Sequence, residues 1–405
     1  MHRNYRHHLP ISLAIVRSDL DEIPMNANNT VIHLIQNPVS ASRYVQPMVL
    51  ALTKAGYDVE LWVEPNAEGD VFFKKMQVRK RLEHFSLVLN PFATLTRLVG
   101  LWRKFSLSHP AGIHAHQTKS SLIPLLAASL AGIRVRIYHN HGSAYWGTKG
   151  VLHWAIGKLE KLNCALATEV LFVNPALRDM FVLDQLVDAE KARVLGPGSA
   201  CGLDLTAFSD SSEEEKSRQR QRLSLSENAF VVLYVGRPHK RKGFDFLLKA
   251  WMAAEPYNSD NILLLAGCNE KNVKRILGEV PLTIRALGIC HEMPALYAAS
   301  DVVVLPSEHE GVPYALLEGG ACGRPLVVSD IPGIRMVVTD GVEGLVHPLN
   351  NTRAFLNCLG RLYDNPALRM QLGKNACAKA MRFERRAVLE HLVAFYKSIF
   401  REMTA

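Results

Sequence analysis

Short apolar runs alternate with amphipathic stretches along the chain. VIHLIQ at 31–36 precedes a helical pattern and then YDVELWVE, and the same order recurs in GIHAHQ, SSLIPLLAASLAG, VRIYHNHG and EVLFVN. Apolar runs bounded by polar turns indicate buried strands, and the stretches with helical periodicity indicate the helices that join them. Repeated strand–helix–strand units predict a parallel sheet with helices on both faces.

The alternation starts again at Phe230 with FVVLYVGR and continues through FDFLLKAW, ILLLAGC, IRALG, MPALYAAS, DVVVLPS and PLVVSD. We therefore predict an α/β protein with two Rossmann-like, doubly wound domains at 29–200 and 201–385, after an N-terminal extension at 1–28. The amphipathic stretch at 386–405 is expected to pack back on the first domain. Two such domains enclose a cleft at the carboxyl ends of both sheets, where sheets of this kind bind ligands.

Composition places the chain among ordinary globular proteins. Of its 405 residues, 48% are hydrophobic and 21% are charged, and seven cysteines occur without a C-x-x-C pair. This distribution fits reduced thiols in a cytoplasmic protein better than a disulfide framework or a zinc site. LPISLAIV at 9–16 is too short to span a membrane and has no small-residue cleavage site, and Met25 is a second candidate for the natural start.

Positive charge is concentrated in the first half of the chain. Residues 1–200 hold 22 Lys and Arg against 15 Asp and Glu, a balance of +7, whereas 201–405 hold 25 against 23, a balance of +2. Within 69–119, nine bases alternate with large apolar residues, which suits the surface of an anionic bilayer; the alternative is a solvated face over an ordinary core. No RNA-binding motif, helix-turn-helix signature or zinc module accompanies the charge, so we expect no nucleic-acid partner.

GRPHKRKG at 236–243 directly follows a predicted strand and precedes a predicted helix. Its glycines allow close approach of the backbone, while Arg237 and Lys242 could converge on one anion. A guanidinium and an ammonium group together could neutralise a diphosphate and stabilise it as a leaving group. Neither a Walker loop nor a G-x-G-x-x-G turn is present. The alternative is that both bases are ordinary exposed residues of the loop.

PSEHEGVPYALLEGG at 306–320 places Glu310 in a loop and Glu318 inside the following helix, with Pro313 suited to the first helical turn. Gly311 would let a ligand approach the loop. A carboxylate can hold a vicinal diol through two hydrogen bonds, so the two glutamates could hold the two sugars of one sugar nucleotide. Alternatively, Glu310 interacts with the helix dipole and Glu318 is solvated.

Taken together, VGRPHKRKG, DVVVLPSEHEGVPYALLEGGACGRPLVVSDIPG and GSACGLDLTAF resemble retaining glycosyltransferases of family 4, with the GT-B fold and the E-x7-E signature. The resemblance continues through GIHAHQTKSSLIPLLAASLAGIRVRIYHNHG and DGVEGLVHPLNN, and covers most of 30–385. Within the family, the chain is most similar to the capsule and O-antigen branch. Members of that branch use UDP-sugar donors and acceptors linked to a lipid diphosphate.

The resemblance implies roles for three groups of residues. The donor site would comprise Gly236, Arg237, Lys242, Glu310, Gly311, Val312 and Glu318, with the diphosphate on the two bases and the ribose on Glu318. The catalytic residues would be Arg237, Lys242, Glu310 and His141. The acceptor side would include Ser40, Ser42, Arg43 and His141, because NPVSASRY replaces the glycine-rich turn of many members. Pro313 stands where other members often have glycine, which removes an amide that could contact the hexose.

The implied activity is transfer of a hexose or N-acetylhexosamine, with retention, to a lipid-linked saccharide acceptor. In the front-side route commonly assigned to the family, the departing phosphate takes the proton of the acceptor hydroxyl. We expect neither a metal nor a cofactor beyond the nucleotide-sugar donor, since the D-x-D at 19–21 lies in the extension. The expected location is the cytoplasm, at the inner face of the membrane. Two alternatives are a sugar-nucleotide epimerase of the same fold and a non-catalytic partner protein that binds nucleotide sugars.

Overall fold

The computed structural model describes residues 30–66, 69–209, 212–254 and 261–401, so the N-terminal extension lies outside the described residues. Across these ranges the chain forms two parallel β-sheets, one of seven strands and one of six, with helices between the strands. The predicted α/β fold of two doubly wound sheets is therefore confirmed. No helix in the described ranges is both long enough and apolar enough to cross a bilayer.

The first sheet belongs to the N-terminal half of the chain. Its strands are β1 (Thr30–Ile35), β2 (Asp58–Val63), β3 (Lys80–Leu82), β4 (Gly112–His116), β5 (Val135–Asn140), β6 (Glu169–Phe172) and β7 (Ala192–Val194). They pair in parallel in the order β3-β2-β1-β4-β5-β6-β7. The order reverses between β1 and β4, which is the point where ligands approach such a sheet.

The second sheet repeats this plan in the C-terminal half. Its strands are β8 (Val231–Val235), β9 (Ile262–Ala266), β10 (Ile284–Gly288), β11 (Val302–Leu305), β12 (Leu326–Ser329) and β13 (Gly344–His347). They pair in parallel in the order β10-β9-β8-β11-β12-β13. The strand order reverses between β8 and β11, whose following loops contain the two motifs predicted to bind the donor.

Helices connect the strands in both halves. The first half contains α1 (Pro38–Ser40), α2 (Gln46–Lys54), α3 (Asp70–Lys75), α4 (Pro91–Ser108), α5 (Thr118–Leu130), α6 (Gly150–Leu166) and α7 (Pro175–Leu183). The second half contains α8 (Glu213–Arg222), α9 (Phe244–Ala253), α10 (Glu270–Leu277), α11 (Met293–Ala299), α12 (Tyr314–Ala321), α13 (Pro332–Arg335), α14 (Thr352–Asp364), α15 (Pro366–Met381) and α16 (Arg385–Arg401). A π-helical turn at Ala41–Val45 joins α1 to α2, and 3-10 turns lie at Ala144–Gly147 and Lys240–Lys242.

The last helix, α16, packs on the first domain. Leu389, Leu392, Tyr396 and Ile399 recur at helical spacing, and all four are buried in a core shared with β1, β2 and α2. Burying each such side chain stabilises the fold by about 2 kcal/mol, so this face holds α16 firmly against the first sheet. The C-terminal segment therefore supplies part of the first domain's core.

The cysteines are all free thiols in this fold. Cys164, Cys201, Cys268, Cys322 and Cys358 are buried. Burial raises the pKa of the Cys164 thiol and raises that of Cys268 to about 12, so both stay protonated and unreactive at neutral pH.

Candidate active site

Loops at the carboxyl ends of strands from both sheets meet around one cleft between the domains. The cleft encloses a cavity of about 260 Å³. Its lining residues are Ser40, Tyr44, Gln117, His141, Gly142, Val173, Ala200, Arg237, Arg241, Lys242, His309, Glu310, Gly311, Val312 and Tyr314. Six of the residues predicted from the sequence to form the donor or catalytic site are among them: His141, Arg237, Lys242, Glu310, Gly311 and Val312.

Lys242 and Glu310 form an ion pair in this cleft. The Lys242 Nζ atom lies 2.7 and 2.8 Å from the two carboxylate oxygens of Glu310, and the Ser307 hydroxyl donates to Oε1 at 2.6 Å. The Glu310 side chain is 5% exposed and that of Lys242 is 24% exposed. The ammonium group predicted to hold the diphosphate is thus balanced by the carboxylate predicted to hold the hexose.

Gly243 determines how closely the loop after β8 approaches the loop after β11. Its φ is +68°, and a Cβ atom built on it would lie 1.9 Å from the carbonyl oxygen of Pro306. Glycine alone satisfies both the left-handed backbone and the close contact. This packing places the preceding residue, Lys242, beside Glu310.

The loop after β8 brings further positive charge to the cleft. Arg237 is exposed, while Arg241 is partly buried and its Nε atom makes no hydrogen bond with the described residues. Three cations of one loop therefore face the cavity, and one of them is paired with a carboxylate. Arg241 was not singled out from the sequence, although the KRK run in the same loop indicates a local excess of positive charge. Gly236 begins this loop, but it does not line the cavity.

Glu318 lies inside α12, where two side chains hold its carboxylate. Arg43 donates to Oε1 at 3.1 Å, and the Tyr297 hydroxyl donates to Oε2 at 2.8 Å. Burial raises the pKa of the Glu318 carboxyl group, and Arg43 and Tyr297 offset part of this effect. Arg43, predicted for the acceptor side, thus contacts the carboxylate predicted to hold the ribose, across the boundary between the domains.

His141 follows β5, in a loop that contacts the second domain. Its Nε2 atom lies 2.9 Å from Nδ1 of His116, and burial lowers the pKa of its ring to about 4, so the ring is neutral at pH 7. A Cβ atom on Gly311 would lie only 2.4 Å from the His141 carbonyl oxygen. The histidine loop therefore touches the donor loop directly. Pro313 caps α12 and does not lie in its first turn as expected, since the helix begins at Tyr314.

The segment after β1 forms a short helix instead of a glycine-rich turn. Asn37 starts it, because its side-chain oxygen accepts hydrogen bonds from the backbone N–H groups of Val39 and Ser40. Ser40 lines the cavity, whereas Ser42 is not among the lining residues. Of the two serines predicted for the acceptor side, only Ser40 faces the cleft.

Asn174 links the two domains, a role that the sequence did not indicate. Its side-chain nitrogen donates to the carbonyl oxygens of Gly311 at 2.8 Å and Gly333 at 3.1 Å, while its oxygen caps α7 through Ala176 N. An Asn-Pro pair is common at the start of a helix, so the sequence indicates only the helix cap. The contacts in the other domain become visible only in the folded chain.

Within the part of the chain that the structure describes, two groups of histidines have ring nitrogens close enough to hold a metal ion. They are His33, His114 and His116, and His116, His139 and His141, in each of which the ligand atoms lie within 4.8 Å of one another. The nitrogens of neighbouring rings also lie 2.9–3.2 Å apart, which is ordinary hydrogen-bond distance.

Two family profiles match the chain. The profile described as "Glycosyl transferase 4-like domain" matches residues 41–198, and the one described as "Glycosyl transferases group 1" matches residues 229–365. The first match covers the first sheet from β2 to β7, and the second covers the whole second sheet and the loops that contain Lys242 and Glu310.

Two bacterial enzymes are similar to the chain in sequence. The UDP-Gal:alpha-D-GlcNAc-diphosphoundecaprenol alpha-1,3-galactosyltransferase of Escherichia coli is 27% identical over 65% of this chain and 68% of the relative. The N,N'-diacetylbacillosaminyl-diphospho-undecaprenol alpha-1,3-N-acetylgalactosaminyltransferase of Campylobacter jejuni is 25% identical over 90% of this chain and 97% of the relative.

Among solved structures, Anabaena HepE in complex with UDP and glucose is similar in fold. The TM-score is 0.75 at 19% identity, and the alignment covers 92% of this chain and all of that one. The fold match spans both domains, as do the two family profiles together. The chain is a glycosyltransferase of the GT-B fold and belongs to the group 1, family 4-like glycosyltransferases.

Proposed function

We propose that this glycosyltransferase transfers a hexose or N-acetylhexosamine, with retention of anomeric configuration, from a UDP-sugar to a lipid-linked saccharide acceptor in surface polysaccharide synthesis. The observation that carries the proposal is the Lys242–Glu310 pair among the cations of the cleft. The named activities of the E. coli and C. jejuni relatives, both of which act on undecaprenyl-diphosphate-linked saccharides, support this acceptor class. The similarity to HepE in complex with UDP agrees with a UDP-linked donor.

The charge of the loop after β8 supports a role in leaving-group stabilisation. When a diphosphate enters, Lys242 can share its three N–H donors between Glu310 and a phosphate oxygen, while Arg237 and Arg241 supply planar guanidinium groups. Fixed cations around the developing negative charge stabilise the transition state more than the ground state. In this proposal the three bases perform the task that a metal ion performs in other transferases.

Ribose binding requires an exchange of partners at Glu318. Arg43 occupies one carboxylate oxygen, although its side chain is 55% exposed and so has room to move away. We therefore expect Arg43→Met to shift the pH range of UDP binding upwards, because Arg43 lowers the pKa of Glu318. Calorimetric titration with UDP between pH 5 and pH 8 measures this shift, and an unchanged profile would contradict the assignment of Glu318 to the ribose.

The arrangement of Glu310 supports the front-side route. A carboxylate nucleophile must be free beneath the anomeric carbon, whereas both oxygens of Glu310 contact Lys242 and one also accepts from Ser307. Positioning and charge stabilisation then account for catalysis, with the departing phosphate as the base.

The direct test is a transfer assay with a panel of labelled UDP-, GDP- and ADP-sugars and a synthetic polyprenyl-diphosphate monosaccharide. We expect one UDP-sugar to give a disaccharide product whose new linkage keeps the donor configuration, with equal rates in EDTA and in Mg²⁺. Donor without acceptor distinguishes the alternatives, since an epimerase would release an epimeric sugar nucleotide and a non-catalytic partner would leave the donor intact. Activity that EDTA abolishes and Mg²⁺ restores would refute the metal-independent mechanism.

The surface of the first domain supports contact with a membrane. Five of the nine bases within 69–119 form ion pairs with acidic residues, so the free positive charge is smaller than the sequence suggests. However, α4 exposes an apolar stripe at helical spacing, and the start of α6 exposes another. The stripe residues are Phe92, Leu95, Val99 and Trp102 on α4, and Val151, Leu152 and Trp154 on α6.

The apolar side chains at the start of α6 follow the cleft closely along the chain. Residue 150, at the start of α6, follows the 3-10 turn after His141, in which the ring of Trp146 lies 5.6 Å from that of His309. A membrane that contacts the stripe of α6 would present a lipid-linked diphosphate sugar close to His141. We propose that the protein acts in the cytoplasm, at the inner face of the membrane.

Vesicle flotation tests the membrane contact. Phe92→Ser combined with Trp102→Ser removes two exposed rings, which we expect to weaken binding to anionic vesicles by about 2 kcal/mol, or about thirtyfold. The matched control is Leu282→Ser, because Leu282 is fully exposed on the other domain. Equal flotation of both variants and the wild type would exclude the stripe as the membrane contact.

A further inference from the structure

A row of histidines crosses the first sheet beneath α16. His33 lies on β1, His114 and His116 on β4, and His139 on β5, with His141 just after it. Register pairs His33 with His114 and His116 with His139. Since side chains two residues apart share a face of a strand, all five rings lie on the face covered by α16. The first four are at most 3% exposed.

The ring nitrogens and the hydroxyl of Tyr396 form one unbranched chain of hydrogen bonds. From the cleft inwards, His141 Nε2 is 2.9 Å from His116 Nδ1, and His116 Nε2 is 3.1 Å from His33 Nδ1. His33 Nε2 is 3.0 Å from the Tyr396 hydroxyl, which is 2.7 Å from His114 Nδ1. His114 Nε2 is 3.2 Å from His139 Nδ1. No carboxylate or cation takes part in these five contacts.

Proton counting restricts the tautomers of the whole chain. Burial lowers the pKa of every ring in it, so each histidine is neutral and carries one ring proton. Six groups thus supply six protons to five hydrogen bonds, and because the buried Tyr396 hydroxyl has no other partner within the described ranges, the sixth proton is left at an end. If all donors point towards the cleft, every histidine carries its proton on Nδ1. If all point away from it, every histidine carries its proton on Nε2.

The two ends of the chain differ in their surroundings. His139 is only 3% exposed and is not among the residues that line the cleft. His141 is more exposed and lines the open cleft, and Nδ1 is the ring nitrogen that does not face His116. A buried N–H donor without a partner is costlier than an unpaired acceptor. The spare proton therefore belongs at the cleft end.

We propose that this chain fixes His141 as a neutral Nδ1–H donor directed at a ligand in the cleft. His116, His33 and Tyr396 are then positioning residues, because each sets the tautomer of the next ring towards the cleft. On the proposed function, on which this consequence rests, the donated N–H suits an oxygen of the nucleotide sugar. A ring held in this form gives a hydrogen bond and does not act as the base.

Ring-nitrogen NMR of the full chain labelled with ¹⁵N-histidine tests the proposal without any substrate. Protonated and unprotonated ring nitrogens resonate far apart, and single His→Gln substitutions assign the five rings. We expect all five to be single Nδ1–H tautomers. An Nε2–H form of His141, or a mixture of the two tautomers among the five rings, would overturn the proposal. Because the NMR measurement needs no enzymatic activity, its result is independent of the proposed transfer reaction.

Two variants test the continuity of the chain. Tyr396→Phe removes the central link, and we expect it to move the ring-nitrogen signals of His33 and His114. The matched control is Tyr57→Phe, since the Tyr57 ring contacts that of Tyr396 but its buried hydroxyl has no hydrogen-bond partner within the described ranges. Spectra that respond equally to both substitutions would contradict a continuous chain.

A kinetic pair tests the effect on His141. His116→Leu cannot donate to the His141 ring, and we expect kcat to fall about tenfold with little change in KM for the donor, which is the loss of about one hydrogen bond in the transition state. His116→Gln retains an N–H donor and should recover most of the rate. If His116→Gln is as slow as His116→Leu, His116 has only a packing role. Stoichiometric zinc in the purified protein, lost in His33→Gln, would show metal ligands in place of the chain.

Discussion

The ion pair between Lys242 and Glu310 allows folding and donor binding to be tested separately. Lys242 is predicted to bind the diphosphate of the donor, and Glu310 its hexose. Lys242→Ala leaves the carboxylate of Glu310 buried, with Ser307 as its remaining hydrogen-bond donor. Removing one partner of a buried pair costs about 3–5 kcal/mol, and the lower value applies here because Lys242 is partly exposed to water. We therefore expect Lys242→Ala to lower the free energy of unfolding by about 3 kcal/mol.

Adding Glu310→Gln to Lys242→Ala separates folding from binding. The neutral amide has no charge to bury, so we expect the double variant to recover most of the lost stability. It should not recover UDP binding, because the charge-assisted contact to the diphosphate, worth about 1.5–3 kcal/mol or about ten- to a hundredfold in Kd, is still missing. Urea unfolding measures the first quantity and calorimetric titration with UDP the second.

The matched control is Lys240→Ala, which removes an exposed lysine from the same loop. It should leave the urea midpoint unchanged and weaken UDP binding by less than twofold. If Lys242→Ala unfolds at the urea concentration of the wild type, the ion pair does not form in solution. If the double variant binds UDP as tightly as the wild type, Lys242 is not a ligand of the diphosphate.

Two further predictions concern acid stability and backbone packing. Burial lowers the pKa of His33 to about 3 and that of His141 to about 4, whereas unfolded histidines titrate near 6.5. Below pH 6.5 the unfolded chain therefore binds more protons than the folded chain. The free energy of unfolding should fall by about 1.4 kcal/mol per pH unit for each ring between pH 6.5 and 4. Urea unfolding at pH 7 and pH 5 measures the loss, and equal midpoints would contradict burial of neutral rings. Gly243→Ala should lower the melting temperature far more than Gly278→Ala, because both have positive φ but only Gly243 faces a carbonyl oxygen, that of Pro306. Similar shifts in a thermal melt would exclude the close packing of the loop.

Local patterns in the sequence account for most of the fold. The long strands contain apolar runs, and their alternation with amphipathic stretches is sufficient to predict two parallel sheets. β3, with the sequence KRL, is a short edge strand whose pairing depends on β2, so its own residues do not indicate a strand. The boundary of α12 differs by one residue from expectation because Pro313 adopts a non-helical ψ of 76°.

The candidate site was predictable from the sequence only where all the residues of a motif lie in one loop. GRPHKRKG and the loop with Glu310 each contain their own chemistry, and the fold brings them together at neighbouring strands. Arg43 and Glu318 are 275 positions apart, and their contact depends on how the domains face each other. The histidine row was partly predictable from HAH and HNH, because alternate positions of a strand share one face. The contacts of Tyr396 with His33 and His114 were not predictable, because Tyr396 lies on α16 and no strand pattern includes it.

The measurement that tests the central claim most directly is the anomeric configuration of the product made in EDTA. The labelled UDP-sugar that the protein accepts is incubated with a polyprenyl-diphosphate monosaccharide, and the new linkage is read by NMR. The proposed mechanism predicts a disaccharide with the donor's configuration and an undiminished rate without metal, together with a loss of that product in Lys242→Ala but not in Lys240→Ala. An inverted linkage, or a product that forms only with added Mg²⁺ or Mn²⁺, would contradict it.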